Sequence, residues 1–425
     1  MTVEALVKGW CPGALRPMES GDGLLVRIRI TGGILKAEHA HVIAKSAMQY
    51  GNGLIDLSGR ANLQIRGVSG SQWPHLIADL SHHGLLDDDA EAEAVRNVVA
   101  SPLARLDPSA MLDIRPLVKA LENRLVSDRA LHALPGKFGF LVDDGGQFSL
   151  SDQNADIAFE ALQENRTTYF VVRIGQDDTA GIIGIDSVCD TAAALAHAFI
   201  DASRASVKPY KRMVNWVADW GADRILKSVG IDTIAVRPRR STDLSPFGFH
   251  ALGESGFLGL GAPFGRWSAN GLAALADIAL AEGSGELRLT PWRAILIPGL
   301  HQTRAQTLIA KLGEGFISRA DDPRLQIIAC AGRPSCRNAT VNTHQDALGF
   351  ATLQNLMKKS GTRLHVSGCE KGCARPAATE AVLVGKNGVY DLVLNGKASD
   401  SPMMKGLDEA MARRTLEDLW AGEAK

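Results

Sequence analysis

Four cysteines near the end of the chain constrain its structure more than any other feature of the sequence. Cys330 and Cys336 form a C-x5-C pair, and after 32 intervening residues Cys369 and Cys373 form a C-x3-C pair. Two short loops that each carry two thiolates can hold an iron–sulfur cluster between them. Glycine and proline beside these cysteines suit a backbone that folds tightly around a bulky inorganic core. The pattern therefore predicts a cluster site and a redox protein.

Two other interpretations of the cysteines stay open. A zinc site usually has a C-x2-C or C-x4-C pair, so a five-residue gap argues against it. Free cysteine is also among the most buried residue types, and the four thiols could be structural. However, four of the six cysteines of the chain lie within a segment of 44 residues, and such clustering favours a shared ligand.

Length and charge limit the class of protein. A chain of 425 residues is long enough for about two to four domains and can bury a large site. Its formal charge of −1 offers no basic excess for a nucleic-acid partner. We see no signal peptide and no apolar run of membrane-spanning length, and we expect a cytoplasmic location with reduced thiols and no membrane partner.

An internal repeat organises the chain. At an offset of 232 residues, 57–67 aligns with 289–299, and the turn at 31–33 aligns with 263–265. Alternating residues predict a strand over 24–30, and a helix over 37–49 follows it. We expect each copy to form one arm of a shared sheet or barrel, with a ligand at the seam. Chance similarity of two strand patterns is the alternative.

Both cysteine pairs follow predicted strands. The strand over 325–329 leads into the first cysteine loop, and the strand over 363–366 leads into the second. A helix over 346–358 lies between them. Beyond the second loop, strands over 381–384 and 390–394 flank Asn387-Gly388, a sequence typical of a hairpin turn.

These cysteine motifs, with Gly368 before Cys369 and Ala374-Arg375-Pro376 after Cys373, resemble the nitrite and sulfite reductase hemoprotein family. The resemblance covers nearly the whole chain and implies an α+β fold. Duplicated ferredoxin-like half-domains would form a pseudo-two-fold module, joined by two α/β domains. The expected boundaries are 1–90 and 241–305 for the half-domains, and 91–240 and 306–425 for the α/β domains.

The resemblance also implies cofactors and chemistry. In the family, Cys330, Cys336, Cys369 and Cys373 would bind one [4Fe-4S] cluster, with Cys373 bridging to a macrocycle iron. The segment from Cys11 to Arg27 resembles the branch of the family that acts in aerobic cobalamin synthesis. Those enzymes are monooxygenases that hydroxylate precorrin-3A with O2 and close a lactone. Electrons would come from an external donor, either an NAD(P)H-linked reductase or a ferredoxin or flavodoxin.

Basic residues fit an anionic tetrapyrrole substrate. A precorrin carries a rim of carboxylates, and arginine binds carboxylate through two parallel hydrogen bonds. We expect the following residues to bind the substrate: Arg27, Arg29, Arg60, Arg66, Arg96, Lys137 and Arg293. Arg96 and Lys137 also match the anion-binding positions of the family and are the candidate catalytic residues. A solvated surface charge is the alternative for each residue taken singly.

One departure from the family concerns the reaction. Reductases of the family carry a second lysine two residues after the position of Lys137, and here that position is Gly139. A missing cation weakens oxyanion reduction, and we expect the glycine to leave room for a larger substrate. The alternatives are a siroheme-dependent sulfite or nitrite reductase and a noncatalytic tetrapyrrole carrier.

Three further features of the sequence are less specific indicators of function. Cys11 is a candidate metal ligand or active-site cap, although a buried free thiol is the commoner role. His250 is a candidate ligand of a mononuclear non-heme iron, a second cofactor that the resemblance implies, and a hydrogen-bonded loop histidine is the alternative. Residues 256–261 read G-x-x-G-x-G, which is the wrong spacing for a dinucleotide site.

Overall fold

The computed structural model describes residues 11–234, 244–353, 355–357 and 361–422. Its strands are β1 (Met18–Ser20), β2 (Gly23–Ile28), β3 (Ile34–Lys36), β4 (Leu54–Leu57), β5 (Leu63–Val68), β6 (Val98–Ala100), β7 (Phe140–Asp143), β8 (Ile157–Glu164), β9 (Thr167–Ile174), β10 (Ala180–Gly184), β11 (Thr233–Ile234), β12 (Gly248–Leu252), β13 (Ser255–Gly261), β14 (Arg266–Ser268), β15 (Glu286–Leu289), β16 (Ala294–Leu300), β17 (Ile327–Ala329), β18 (Leu364–Ser367), β19 (Thr379–Lys386), β20 (Val389–Gly396) and β21 (Met404–Leu407). Its helices are α1 (Ala37–Tyr50), α2 (Trp73–His82), α3 (Ala90–Val95), α4 (Arg115–Ser127), α5 (Val188–Ala205), α6 (Met213–Trp220), α7 (Ala222–Ser228), α8 (Ala269–Ala281), α9 (Gln302–Leu312), α10 (Thr343–Phe350) and α11 (Glu409–Gly422). None of the helices in these ranges has the length and apolar character needed to cross a membrane.

The two copies of the repeat fold alike but exchange an edge strand. The first sheet has the order β1-β2-β5-β4-β14, and the equivalent sheet of the second copy has the order β12-β13-β16-β15-β3. β3 therefore pairs with β15, and β14 pairs with β4, both antiparallel. The prediction of one shared sheet or barrel was wrong, because each copy forms its own sheet and contributes one edge strand to the sheet of the other copy.

Short turns direct this exchange. In each copy a 3-10 turn, Thr31–Gly33 or Pro263–Gly265, precedes the exchanged strand. Gly33 has φ of 70°, and a Cβ atom there would lie 2.6 Å from the carbonyl oxygen of Leu289. Glycine is needed because the backbones of the two copies touch at this point. Helices α1 and α8 pack on each other, so that both copies share one apolar core.

The two remaining sheets share a topology. β6, β7 and β8 run parallel, and β8 to β11 continue as an antiparallel meander. In the last sheet β17, β18 and β19 run parallel, and β20 and β21 continue antiparallel. The predicted hairpin is confirmed as β19–β20, with Asn387 and Gly388 at positive φ in its turn. The mixture of helices with these sheets confirms the α+β class.

Two elements beside the first cysteine loop are shorter than predicted. Pro323–Gln326 forms a 3-10 turn, capped by the Asp322 side chain, so the strand begins only at Ile327. The helix predicted over 346–358 is interrupted: α10 begins at Thr343 and ends at Phe350, a 3-10 turn follows, and residues 355–357 are again helical, whereas 354 and 358 lie outside the described residues. The strands still end where the cysteine loops begin.

Candidate active site

Parallel strand pairing brings the two cysteine loops together. β17 ends one residue before Cys330, and its neighbour β18 ends two residues before Cys369. The backbone N–H of Cys330 donates to the carbonyl of Val366 at 3.2 Å, and the N–H of Gly368 donates to the Cys330 sulfur at 3.1 Å. Because parallel strands end at the same edge of a sheet, loops that are distant in sequence face one site.

The four thiols share an electrostatic environment. Burial first, and then the nearby charges of Cys330, Cys336 and Cys373, raise the pKa of Cys369. None of the four cysteines is in a disulfide, and Cys373 is exposed while the others are half-buried. Within the described ranges, no group of three His, Cys, Asp or Glu side chains converges closely enough to hold a single metal ion. The C-x5-C and C-x3-C spacing on two neighbouring loops suits a polynuclear cluster better than zinc.

A cavity of about 220 Å³ adjoins the cysteines, and we call it the cluster-side cavity. Its walls include Cys330, Cys373, Arg266, Arg293 and His344. Burial first, and then the cationic neighbours, lower the pKa of His344 to about 4, which leaves its ring neutral at pH 7. The cavity therefore presents guanidinium groups beside two cysteines.

A second cavity of about 370 Å³, the arginine cavity, meets the first at the loop between β4 and β5. Ser58 and Gly59 of that loop line both cavities, and we call the two together the cleft. The basic and thiol side chains on the wall of the arginine cavity are Cys11, Arg27, Arg60, Lys137 and Arg212. Cations from both repeats and from the α/β unit between them thus surround one cleft.

Two guanidinium groups of the arginine cavity lack part of their hydrogen bonds. Arg27 donates to the Cys11 sulfur at 2.9 Å and to Gln64 Oε1 at 3.0 Å, and Arg60 donates to the carbonyl of Lys137. Among the residues described, no partner meets the buried Nε of Arg27 or the buried Nη1 of Arg60. Buried donors are normally satisfied, so these atoms fit a bound anion such as a carboxylate.

Arg29, Arg66 and Arg96, predicted to bind substrate, point elsewhere. Arg96 forms ion pairs with Asp87 at 2.7 Å and Glu122 at 3.2 Å, and it lines a separate cavity together with Arg29. Arg29 donates to Asn97, and its buried Nε has no partner among the residues described; burial followed by the charge of Arg27 lowers its pKa to about 10. Arg66 is buried between the carboxylates of Asp22 and Asp56. The structure brings Arg27, Arg60, Lys137 and Arg293 to the cleft and leaves these three outside it.

Three basic side chains of the cleft were absent from the set of substrate-binding residues that we predicted from the sequence: Arg212, Arg266 and His344. Arg212 follows Lys208 and Lys211, a basic run that could have drawn attention to it. Arg266 and His344 carry no such signal, because only the exchanged strand β14 and the start of α10 bring them to the cysteines.

Gly139 does not leave an open space as we expected. A Cβ atom at this position would lie 3.7 Å from the guanidinium carbon of Arg60. The Gly139 N–H donates to Asp156 at 2.9 Å, and Asp156 also pairs with Arg212 at 2.9 Å. The guanidinium of Arg60 therefore occupies the place beside this glycine.

His250 is half-buried on β12 and packs against aromatic rings. Its ring stacks on Phe257 with centroids 4.8 Å apart and meets Phe148 edge-on. Its Nε2 lies 3.3 Å from the carbonyl of Phe247. The hydrogen bond agrees with the alternative to a metal ligand, although His250 lies on β12 rather than in a loop.

Comparisons with known proteins agree with this architecture. The family description "Nitrite/Sulfite reductase ferredoxin-like half domain" matches residues 16–83 and 251–315, and "Nitrite and sulphite reductase 4Fe-4S domain" matches residues 91–234. The chain is 31% identical to a precorrin-3B synthase from Sinorhizobium sp, over 97% of this chain and 89% of that protein.

More distant relatives share the same fold. The chain is 26% identical to a ferredoxin–nitrite reductase from Synechococcus elongatus, over 96% of this chain and 83% of that protein. The solved structure of the Mycobacterium tuberculosis NirA protein superposes with a TM-score of 0.74 at 20% identity, over 94% of this chain and 81% of that one. From its half-domain repeat to its paired cysteine loops, this chain belongs to the nitrite and sulfite reductase family.

Proposed function

We propose that this protein is an iron–sulfur monooxygenase that hydroxylates precorrin-3A with O2 and closes a lactone to give precorrin-3B. The observation that carries the proposal is the pair of unpartnered guanidinium donors, on Arg27 and Arg60, in a cavity that shares the Ser58–Gly59 loop with the cavity lined by Cys330 and Cys373. A tetrapyrrole with a carboxylate rim would satisfy such donors. The 31% identity to a precorrin-3B synthase supports the same substrate.

The residues of the chain would bind and orient the macrocycle. Arg27 and Arg60 would hold carboxylates at one end, and Arg293 would hold another beside the cysteines. Lys137 and Arg212 add positive charge on the same wall. A rigid set of cations fixes which edge of the macrocycle faces the cluster, and such orientation lowers the entropic barrier of the reaction.

Cys330, Cys336, Cys369 and Cys373 would hold the [4Fe-4S] cluster, which supplies electrons in single steps. Hydroxylation inserts one atom of O2 into the substrate and releases the other as water, which consumes two electrons and two protons. We propose that an external NAD(P)H-linked reductase, ferredoxin or flavodoxin delivers the electrons.

The position of Arg96 supports hydroxylation over oxyanion reduction. The family resemblance makes this residue an anion-binding group of the reductases, but here Asp87 and Glu122 already neutralise it. A small oxyanion needs dense, unpaired positive charge to bind and to receive protons. A siroheme-dependent reductase is therefore the second candidate.

Isotopic labelling tests the proposal. The purified protein, with reductant and precorrin-3A, should place one oxygen from labelled O2 in the product as the new hydroxyl group. It should bind little siroheme and reduce neither sulfite nor nitrite with an artificial donor. Label that came only from water, or undiminished turnover without O2, would refute a monooxygenase and favour the reductase. Tetrapyrrole binding without turnover under any condition would indicate a carrier.

A further inference from the structure

Ser335, the residue before Cys336, is tied to the first repeat by three hydrogen bonds to its carbonyl oxygen. The donors are the Ser20 hydroxyl at 2.5 Å, the Gly21 N–H at 3.3 Å and Arg66 Nη2 at 2.8 Å. Ser335 is only 2% exposed, so water does not compete for this oxygen. The C-x5-C loop is therefore anchored at its second cysteine by residues that precede it by about 300 positions in the chain.

Arg66 is held in place by two carboxylates. It donates to both oxygens of Asp22 at 3.0 Å and to Asp56 at 3.0 Å, and its side chain is 3% exposed. Burial lowers its pKa, but the charges of Asp56 and Asp22 outweigh burial and raise it. Because its donors are occupied in this way, Arg66 has the contacts of a structural residue rather than those of a substrate ligand. We call Arg66, Asp56 and Arg266 the clamp.

The exchanged strand supplies the second half of the clamp. Arg266 on β14 lies opposite Asp56 on β4 and donates to both of its carboxylate oxygens, at 2.7 and 3.1 Å. Arg266 also donates to the Ser335 hydroxyl at 3.3 Å. Asp56 thus joins an arginine from each repeat, and both arginines reach Ser335.

The clamp also adjoins the cluster-side cavity. Asp56 and Arg266 line the cluster-side cavity, on the wall that includes Cys330 and Cys373. The turn at Gly21 closes the other side, since a Cβ atom there would overlap the Pro334 carbonyl and lie 2.9 Å from the backbone nitrogen of Cys336. The loop is therefore in direct contact with the first repeat, with no space for adjustment.

We propose that Arg66, Asp56 and Arg266 are positioning residues that fix the Cys336 end of the cluster loop. In this role Arg66 retains the cluster and does not bind substrate. The inference rests on the proposed function, because it requires a cluster at the four cysteines.

The test measures cluster retention separately from substrate binding. Arg66→Lys keeps the charge but removes the fork that spans Asp22, Asp56 and Ser335. After anaerobic reconstitution we expect iron to pass to a chelator roughly tenfold or more faster than in the wild type, the scale of losing a group that orients a metal ligand. The reduction potential of the cluster should also shift, while affinity for a stable tetrapyrrole carboxylate is unchanged.

Arg173→Lys is the matched control, because Arg173 is 2% exposed and ion-paired with Glu160 but lies on β9, in another sheet. Equal iron release from the two variants would overturn the proposal, and so would loss of tetrapyrrole affinity by Arg66→Lys with an intact cluster. A wild-type protein without iron and sulfide would instead refute the proposed function.

A second pair of variants tests the same proposal if Arg66→Lys does not fold. Gly21→Ala presses a methyl group against the loop at Pro334 without changing any charge, and Gly70→Ala adds the same group where no atom lies within 4 Å. We expect faster iron release from Gly21→Ala alone. Identical release from both alanine variants would refute the clamp.

Discussion

Arg27 donates a hydrogen bond from Nη1 to the sulfur of Cys11, 2.9 Å away, on the wall of the arginine cavity. Burial raises the pKa of Cys11, but the charges of Arg27, Arg29 and Arg60 and this hydrogen bond outweigh burial and lower it. A thiol whose pKa is lowered therefore lies among the cations that we expect to meet substrate carboxylates.

We predict that Cys11 reacts with iodoacetamide at lower pH than an ordinary thiol, whose pKa is about 8.5. Cys189 is the internal control, because burial and Asp190 raise its pKa. Peptide mass spectrometry across pH 6 to 10 measures both in one sample. Faster labelling of Cys189 near pH 7 would contradict the arrangement, and a bound tetrapyrrole should protect Cys11 only.

Replacing Arg60 should weaken substrate binding. Arg60→Ala removes a buried donor, and we expect a loss of about 2 kcal/mol in the binding free energy of a tetrapyrrole with an acetate and propionate rim. Arg115→Ala is the control, since its ion pair with Asp113 is half-exposed and outside the cleft. Fluorescence titration measures both affinities, and equal affinities would show that the tetrapyrrole does not bind beside Arg60.

Cys369→Ser should abolish the cluster. Anaerobic analysis of the wild type should give about four irons and four sulfides per chain, as a [4Fe-4S] cluster requires. Cys189→Ser, which changes a cysteine on α5 outside the cleft, should keep the full content. Stoichiometric zinc in the wild type, or an intact cluster after Cys369→Ser, would rule out the proposed ligands.

Arg96→Met should destabilise the fold without affecting substrate affinity. The substitution leaves Glu122, whose side chain is 3% exposed, without its cation. Stranding a buried charge costs about 3–5 kcal/mol, so the thermal midpoint should fall markedly. Adding Glu122→Gln should recover part of the loss. Unchanged stability together with weakened tetrapyrrole binding would instead show that Arg96 binds substrate.

Asp144 should make stability depend on pH. Burial first, and then Asp143 and Asp107, raise its pKa from 3.8 to about 6. The folded state binds this proton more tightly than the unfolded state does. Its contribution, up to ~3 kcal/mol, is therefore complete below about pH 4 and is lost as pH rises through 6. The wild-type melting temperature should fall relative to Asp144→Asn from pH 4 to 7, whereas a constant difference would contradict the prediction.

Much of the architecture could be predicted from the sequence because it depends on local pattern. The paired cysteines, the glycines beside them and the preceding apolar strands indicated two loops that follow strands, and parallel pairing of β17 with β18 brings these loops to one edge of a sheet. The repeat at a constant offset indicated two similar halves. Spacing and alternation along the chain carry such information directly.

The exchange of β3 and β14, and the roles of the arginines, were decided only by the tertiary structure. Arg27, Arg60, Arg66 and Arg96 are the same residue type on or near strands, and the sequence gives no reason to separate them. Asp22 and Asp56 surround Arg66, and Asp87 and Glu122 surround Arg96, whereas Arg27 and Arg60 keep buried donors free. Whether a guanidinium binds substrate or holds the fold together depends on which carboxylate lies within hydrogen-bond distance, and long-range packing sets that distance.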